Sequence, residues 1–289
     1  MKEFFLPFGD TFLNKMNLIF IKNFKNYLYE DVNIAAVYGT FFNSKWNGGR
    51  GSKSKKVNYK EAYSFIKQMN ELGVSVRFTF TNPLVTEKEL DDNIGNILMK
   101  LADNGMNGVI VASDILFKYL KEKYPNFYYI ASTTKCLLNV KDYANDYDIT
   151  VLDYRLNKNE SFLNNIEDKH KIEILVDELC PINCKYRKQH YENIGKFNLG
   201  YKNVDCFCLD PKNNLIDNIN FQKNKEVHSE TVLANEEIDS LYSKGFNKFK
   251  LLGRMLSDKK FILDSYIYYL IKPEHKKTVE EIFKKELES

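Results

Sequence analysis

The chain has 289 residues, 44% hydrophobic and 28% charged, the composition of an ordinary globular protein. At roughly 150 residues per domain this length fits two domains or one α/β barrel. A chain of this size buries roughly three quarters of its unfolded surface, without needing disulfides or metal to fold. The net charge of +3 is too balanced to mark a nucleic-acid binder. The longest apolar stretch near the C-terminus, 261–271, contains Asp264 and is too short to span a membrane. The first residues carry an acid, Glu3, and lack the apolar core and small-residue cleavage site of a signal peptide, so a cytoplasmic location is expected.

Short β-rich runs alternate with longer helical patterns along the chain. Residues 4–8 read as an opening strand weakened by Pro7, and 11–29 show mixed helical spacing. A buried strand over 33–38 leads into a polar loop through Lys56, and a helix over 58–72 stops at Gly73. The cycle repeats with strand 74–80 and helix 86–103, which follows the cap residue Thr86. Strand 108–112 and helix 115–123 follow, then strand 127–131 with a short helix at 140–144. Strand 148–152 precedes helix 160–168, strand 171–176 enters a cysteine-containing segment, and strand 248–252 pairs with helix 259–271.

Strand–helix alternation argues for a parallel sheet, and the near-continuous apolar runs suit strands covered on both faces. Eight units favour a single (β/α)₈ TIM-barrel-like domain over 1–289. Residues 185–234 interrupt the rhythm as an irregular, cysteine-containing insertion or small subdomain. No internal repeat or low-complexity tract is visible.

Such a barrel carries its chemistry on the loops that follow its strands. Here those loops are polar: 46–51, 81–82, 113–114, 132–134, 153–155, 177–178 and 253–254. The chain has 37 Lys against 5 Arg, so each guanidinium, with a planar fork that ammonium lacks, is informative. Arg50, Arg155 and Arg254 fall on strand-end loops and Arg187 in the cysteine segment, whereas Arg77 lies inside a strand. The four suit an anionic ligand held by bidentate contacts. For Arg254 a structural ion pair with Asp177 is the competing reading. The glycine-rich loop over 47–56 lacks P-loop spacing, and no dinucleotide-binding glycine motif is present.

Cys180, Cys184, Cys206 and Cys208 form a C-x₃-C…C-x-C pattern, and Cys136 stands apart. In a cytoplasmic chain this pattern reads as metal rather than disulfide. Four thiolates suit a [4Fe–4S] cluster or a tetrahedral structural zinc. His190 is a possible substitute ligand, and small buried apolar cysteines are the plainer alternative. The position of Cys180 just after a strand puts iron–sulfur ahead of zinc. Cys180-Pro-Ile-Asn-Cys184-Lys-Tyr-Arg187 has an arginine where radical S-adenosylmethionine enzymes carry a third cysteine, which excludes that class.

Two passages resemble the collagenase-like (U-32) peptidase family. Gly245-Phe-Asn-Lys-Phe-Lys-Leu-Leu-Gly-Arg254 is similar to its strand-ending G-x-x-x-F-K-x-x-G-R. Glu173-Ile-Leu-Val-Asp-Glu-Leu-Cys180 is similar to its strand running into a cysteine. The likeness extends over about residues 70–272. Asp177-Glu-Leu replaces the family's usual His-Gly-Ala/Ser-Leu/Met, the mark of a divergent branch. Despite the name, many family members are iron–sulfur proteins of oxygen-independent hydroxylation.

The resemblance therefore implies an iron–sulfur modifying enzyme with a [4Fe–4S] centre on Cys180, Cys184, Cys206 and Cys208. Arg50, Arg155, Arg187 and Arg254 would bind an anionic small molecule or RNA, and Asp153, Asp177 or His190 would transfer protons. The alternatives are a peptidase or other hydrolase with structural zinc, and a non-enzymatic partner subunit of a hetero-oligomer.

Overall fold

Alternate residues of a strand face opposite sides, and here both sides are buried. The computed structural model describes residues 1–48, 57–205, 230–252 and 259–288. The described strands are β1 (Lys2–Phe8), β2 (Val32–Gly39), β3 (Ser75–Phe80), β4 (Gly108–Val111), β5 (Tyr128–Ala131), β6 (Ile149–Val151), β7 (Ile172–Leu175) and β8 (Lys248–Lys250). They pair in sequence order, all parallel, and β8 closes on β1. The result is a (β/α)₈ barrel, as the strand–helix rhythm predicts.

The helices are α1 (Thr11–Asn23), α2 (Tyr59–Glu71), α3 (Asn93–Ala102), α4 (Asp114–Lys123), α5 (Glu160–Asn164), α6 (Arg187–Leu199), α7 (Asn235–Ser243), α8 (Lys259–Leu270) and α9 (Lys276–Glu288). Side-chain caps set where several of them start: Asp10 accepts from Leu13 N–H, Ser113 from Leu116 N–H and Asn159 from Phe162 N–H.

The main core lies between strands and helices. Phe4, Leu6 and Phe8 of β1, Val76, Phe78 and Phe80 of β3, and Phe249 of β8 belong to it. The intervening residues belong to the barrel interior, where Phe5, Ala36, Tyr38, Ile110, Ile130, Ile149 and Val151 form a second cluster.

Several expectations change in detail. Pro7 does not weaken β1, because pairing with β8 ends at Phe5 and no donor is needed beyond it on that side. The predicted helix 86–103 divides in two, because two start signals compete. Thr86 and Glu89 cap a short 3₁₀ turn, and Asp92 then accepts from Gly95 N–H to begin α3. The predicted helix 11–29 stops at Asn23, and 140–144 is a 3₁₀ turn over Val140–Tyr143. The segment 185–234 opens with the regular helix α6 and leads into α7; its middle, 206–229, lies outside the described residues.

Candidate functional site at the barrel mouth

The C-terminal ends of the strands surround an open-sided cleft of about 100 Å³. Its floor is made by side chains from the barrel interior, including Tyr38, Thr79, Ile110 and Lys250. Its rim comes from the loops after β2, β3 and β5, with Thr40, Thr81 and Ser132–Thr134, and from Glu178 beyond β7. Helix α6 adds Tyr191.

The loop after β2 reaches this position because Trp46 is wholly buried. It packs edge-on to Phe80 and donates Nε1–H to the Glu89 carbonyl at 2.7 Å. Gly48 then lies against the end of β3 so closely that a Cβ would stand 2.3 Å from the Thr81 carbonyl, so only glycine fits. Residues 49–56 of the same loop, Arg50 included, lie outside the described residues, as do Arg254, Cys206 and Cys208.

Beneath the cleft, three charged side chains meet inside the barrel. Arg77 of β3 donates Nη1–H to Glu173 Oε2 of β7 at 2.6 Å and Nε–H to Tyr128 OH at 2.7 Å. Its guanidinium also lies over the Phe5 ring at 3.7 Å. Lys250 of β8 places Nζ 3.1 Å from Glu173 Oε1, an ion pair by distance without hydrogen-bond alignment, and 4.0 Å from the Tyr38 ring centre. Glu173 and Lys250 come from the two passages that carry the family resemblance, and the barrel makes them contacts on neighbouring strands.

At the rim, Asp153 follows β6 and is fully buried. Arg155 grips it with both fork edges, Nε–H to Oδ1 at 2.8 Å and Nη2–H to Oδ2 at 2.9 Å. That leaves Arg187, at the start of α6, 3.9 Å from Asp153 Oδ2, too far for a hydrogen bond. Arg187 is buried over the Tyr154 ring at 4.2 Å and donates Nη2–H to Thr133 Oγ1 at 2.8 Å. Its Nε and Nη1 make no hydrogen bond. Burial works against its charge, but Tyr191, Asp153, Glu178 and Tyr154 hold its pKa above the ordinary arginine value. The sequence places Arg155 and Arg187 at one mouth, and the structure brings both to Asp153.

Asp177 lies deeper, behind the end of β8. Its Oδ1 accepts from Leu252 N–H at 2.5 Å and its Oδ2 from Ser265 Oγ–H at 2.8 Å, so it ties the end of β8 to α8. It is fully buried and does not line the cleft. Burial pushes its carboxyl up to about 7, against the pull of those two hydrogen bonds. The folded chain then holds an extra proton between the ordinary value of 3.8 and about 7. Its contribution is fully present below that window and falls as pH rises through it, by up to about 4 kcal/mol. Urea unfolding of Asp177→Asn against the parent at several pH values checks this. The Asn variant should lose the downward slope between pH 4 and 7, and equal slopes would remove the assignment.

His190 sits on the first turn of α6, with its ring nearly parallel to that of the cleft-lining Tyr191 at 6.3 Å. Cys180 and Cys184 flank a turn closed by Cys184 N–H donating to the Pro181 carbonyl at 3.1 Å. Both are partly exposed, and neither is in a disulfide. Glu178 Oε1 accepts from the N–H groups of Leu179 and Cys180, which ties the cysteine turn to a carboxylate of the cleft wall. Among the described residues no three His, Cys, Asp or Glu side chains gather as a metal site. Two of the four cysteines lie outside them, and a pair of accessible thiols around a turn suits soft-metal ligation as far as the described donors go.

Arg77, Glu173 and Lys250 lie on strands, outside the strand-end loops that the sequence points to, whereas Glu178, Thr81 and Ser132–Thr134 lie on those loops and gain a place at the cleft only from the structure. The sequence signal for the first three is that each charge alternates along its strand with buried apolar residues: Arg77 with Val76 and Phe78, Glu173 with Ile172 and Ile174, and Lys250 with Phe249.

No protein-family model matches this sequence, and no curated protein matches it either. The structure is similar to that of the U32 peptidase Mk0906, with a TM-score of 0.57 and 12% identity over 88% of this chain and 93% of that one. The chain therefore has a U32-peptidase-like (β/α)₈ barrel fold. Among the described residues no helix is long and apolar enough to cross a membrane.

Proposed function

We propose that the chain is an iron–sulfur-dependent modifying enzyme acting on an anionic substrate at the barrel mouth, of the oxygen-independent hydroxylase kind that the sequence resemblance implies. The observation that carries this reading is the position of Cys180 and Cys184. They sit on the turn that leaves β7, with the Cys180 N–H held by a carboxylate of the cleft wall. With Cys206 and Cys208 they would hold a [4Fe–4S] cluster, which would supply or accept single electrons beside the cleft.

The other residues have separable roles in this reading. Arg187, whose Nε and Nη1 make no hydrogen bond while Arg155 takes up Asp153, is buried behind the rim residue Thr133, where it would meet an anionic group of a small molecule or RNA that passes that rim. Glu178 is the acid that lines the cleft, and it takes the proton-transfer position there. Asp153 and Asp177 hold Arg155 and the end of β8 in place. His190, beside Tyr191 on α6, remains a candidate for proton transfer or for ligation in place of a cysteine.

The test is ligand-specific. Cys180→Ala and Cys184→Ala, prepared without oxygen, should each lose the brown iron–sulfide absorption while keeping the parent's far-ultraviolet circular dichroism. Either variant retaining the parent's full iron and colour would overturn the assignment.

A further inference from the structure

We propose that Lys250 is the floor of an oxyanion site inside the barrel mouth, taking a carboxylate or phosphate group that enters the cleft end-on. The proposal rests on the mouth being a substrate site, but not on the cysteines or any metal.

Lys250 is the last residue of β8. Strand alternation sends Phe249 to the outer core and Lys250 to the interior, where its side chain lines the cleft. Among the described residues that line the cleft, Lys250 and Glu178 alone are charged. Glu178 lies at the rim, bound to backbone N–H groups of the cysteine turn. A ligand that passes the rim therefore meets an ammonium at the bottom.

That ammonium is held in place by its neighbours. Glu173, which faces it at 3.1 Å, is already bound to Arg77 at 2.6 Å, so one carboxylate serves two cations. The Tyr38 ring supports it from another side at 4.0 Å. Charges held in place in this way need no rearrangement when a ligand arrives.

Two hydroxyls complete the site. Thr79 and Thr81 of the β3 end line the same cleft, and neither hydroxyl hydrogen-bonds to another described residue. Each offers one O–H to an oxyanion. The flanks are apolar, with Ile110, Leu175 and Leu252, so the ligand class is a small oxyanion joined to an apolar or aromatic body.

The charge arrangement also supplies a clean variant. Lys250→Met leaves Arg77 and Glu173 as a matched pair. Inorganic phosphate and acetate are each titrated by calorimetry into anaerobically prepared parent and variant protein, before and after metal removal. Saturable binding of at least one anion is expected in the parent, weakened at least about tenfold by Lys250→Met. Phosphate alone assigns a phosphoryl group, and acetate alone assigns a carboxylate. Binding that survives metal removal separates this site from the iron–sulfur reading. Failure of both anions to bind the parent, or equal binding by the variant, overturns the proposal. Should Lys250→Met not fold, acetylation of Lys250 in the parent, read by mass spectrometry, decides the matter. A bound anion should slow it several-fold, and an unchanged rate rejects the site.

Discussion

Glu173→Ala should destabilise the barrel by about 3–5 kcal/mol, the usual cost of breaking a buried ion pair from one side. Glu173 is fully buried and is the carboxylate that both Arg77 and Lys250 face inside the barrel. Removing it takes the shared carboxylate away from both Arg77 and Lys250, in an interior that Phe5, Ile130 and Val151 help to form. Lys250→Met should cost much less, because the Arg77–Glu173 pair survives it. The contrast between the two substitutions matters more than either value. Urea unfolding of both variants measures it, and a loss below about 1 kcal/mol for Glu173→Ala would show that the interior charges are solvated.

Trp46→Ala should cost a further class of energy, about 3–5 kcal/mol from lost packing and the cavity left behind. The indole is wholly buried against Phe80 and Tyr119, and its N–H is bonded to the Glu89 carbonyl. The backbone of α3 approaches it so closely that a Cβ on Gly95 would stand 2.2 Å from the ring, which makes this a specific seat rather than a loose contact. The substitution should also disturb the mouth. Trp46 accepts the Asn82 N–H through its carbonyl at 3.0 Å, and that contact sets Gly48 against Thr81. Thermal unfolding reads the stability loss. Amide exchange at residues 79–82 should quicken together with that at 44–48, and a stability loss without faster exchange there would separate packing from the shape of the mouth.

The strands were legible because their signal is local. A run such as Val109–Val111, or Ile172–Leu175 with one charge, announces a strand buried on both faces. Barrel closure followed from counting units. The interior charges are harder to read: Arg77 lies in a strand, away from the strand-end loops, yet strand parity turns it inward to meet Glu173 from four strands away in sequence order.

Helix α6 was hidden for another reason. Its buried face is Arg187, Tyr191, Ile194, Gly195 and Asn198, a correct helical spacing in which only Tyr191 and Ile194 carry large apolar side chains. Asn198 is buried because its Nδ2 donates to the Asn47 carbonyl, and Gly195 because Asn82 bonds its carbonyl. Such tertiary partners leave no periodic mark in the sequence. The asymmetry between Arg155 and Arg187 is likewise a matter of reach: two arginines compete for Asp153, and only the geometry shows which one takes it.

Iron and acid-labile sulfide, measured together on the full chain purified without oxygen, test the central claim most directly. The account predicts about four of each per chain, bound through Cys180, Cys184, Cys206 and Cys208. Colourless protein carrying one tightly held zinc, or protein that takes up neither metal after anaerobic reconstitution, would contradict it.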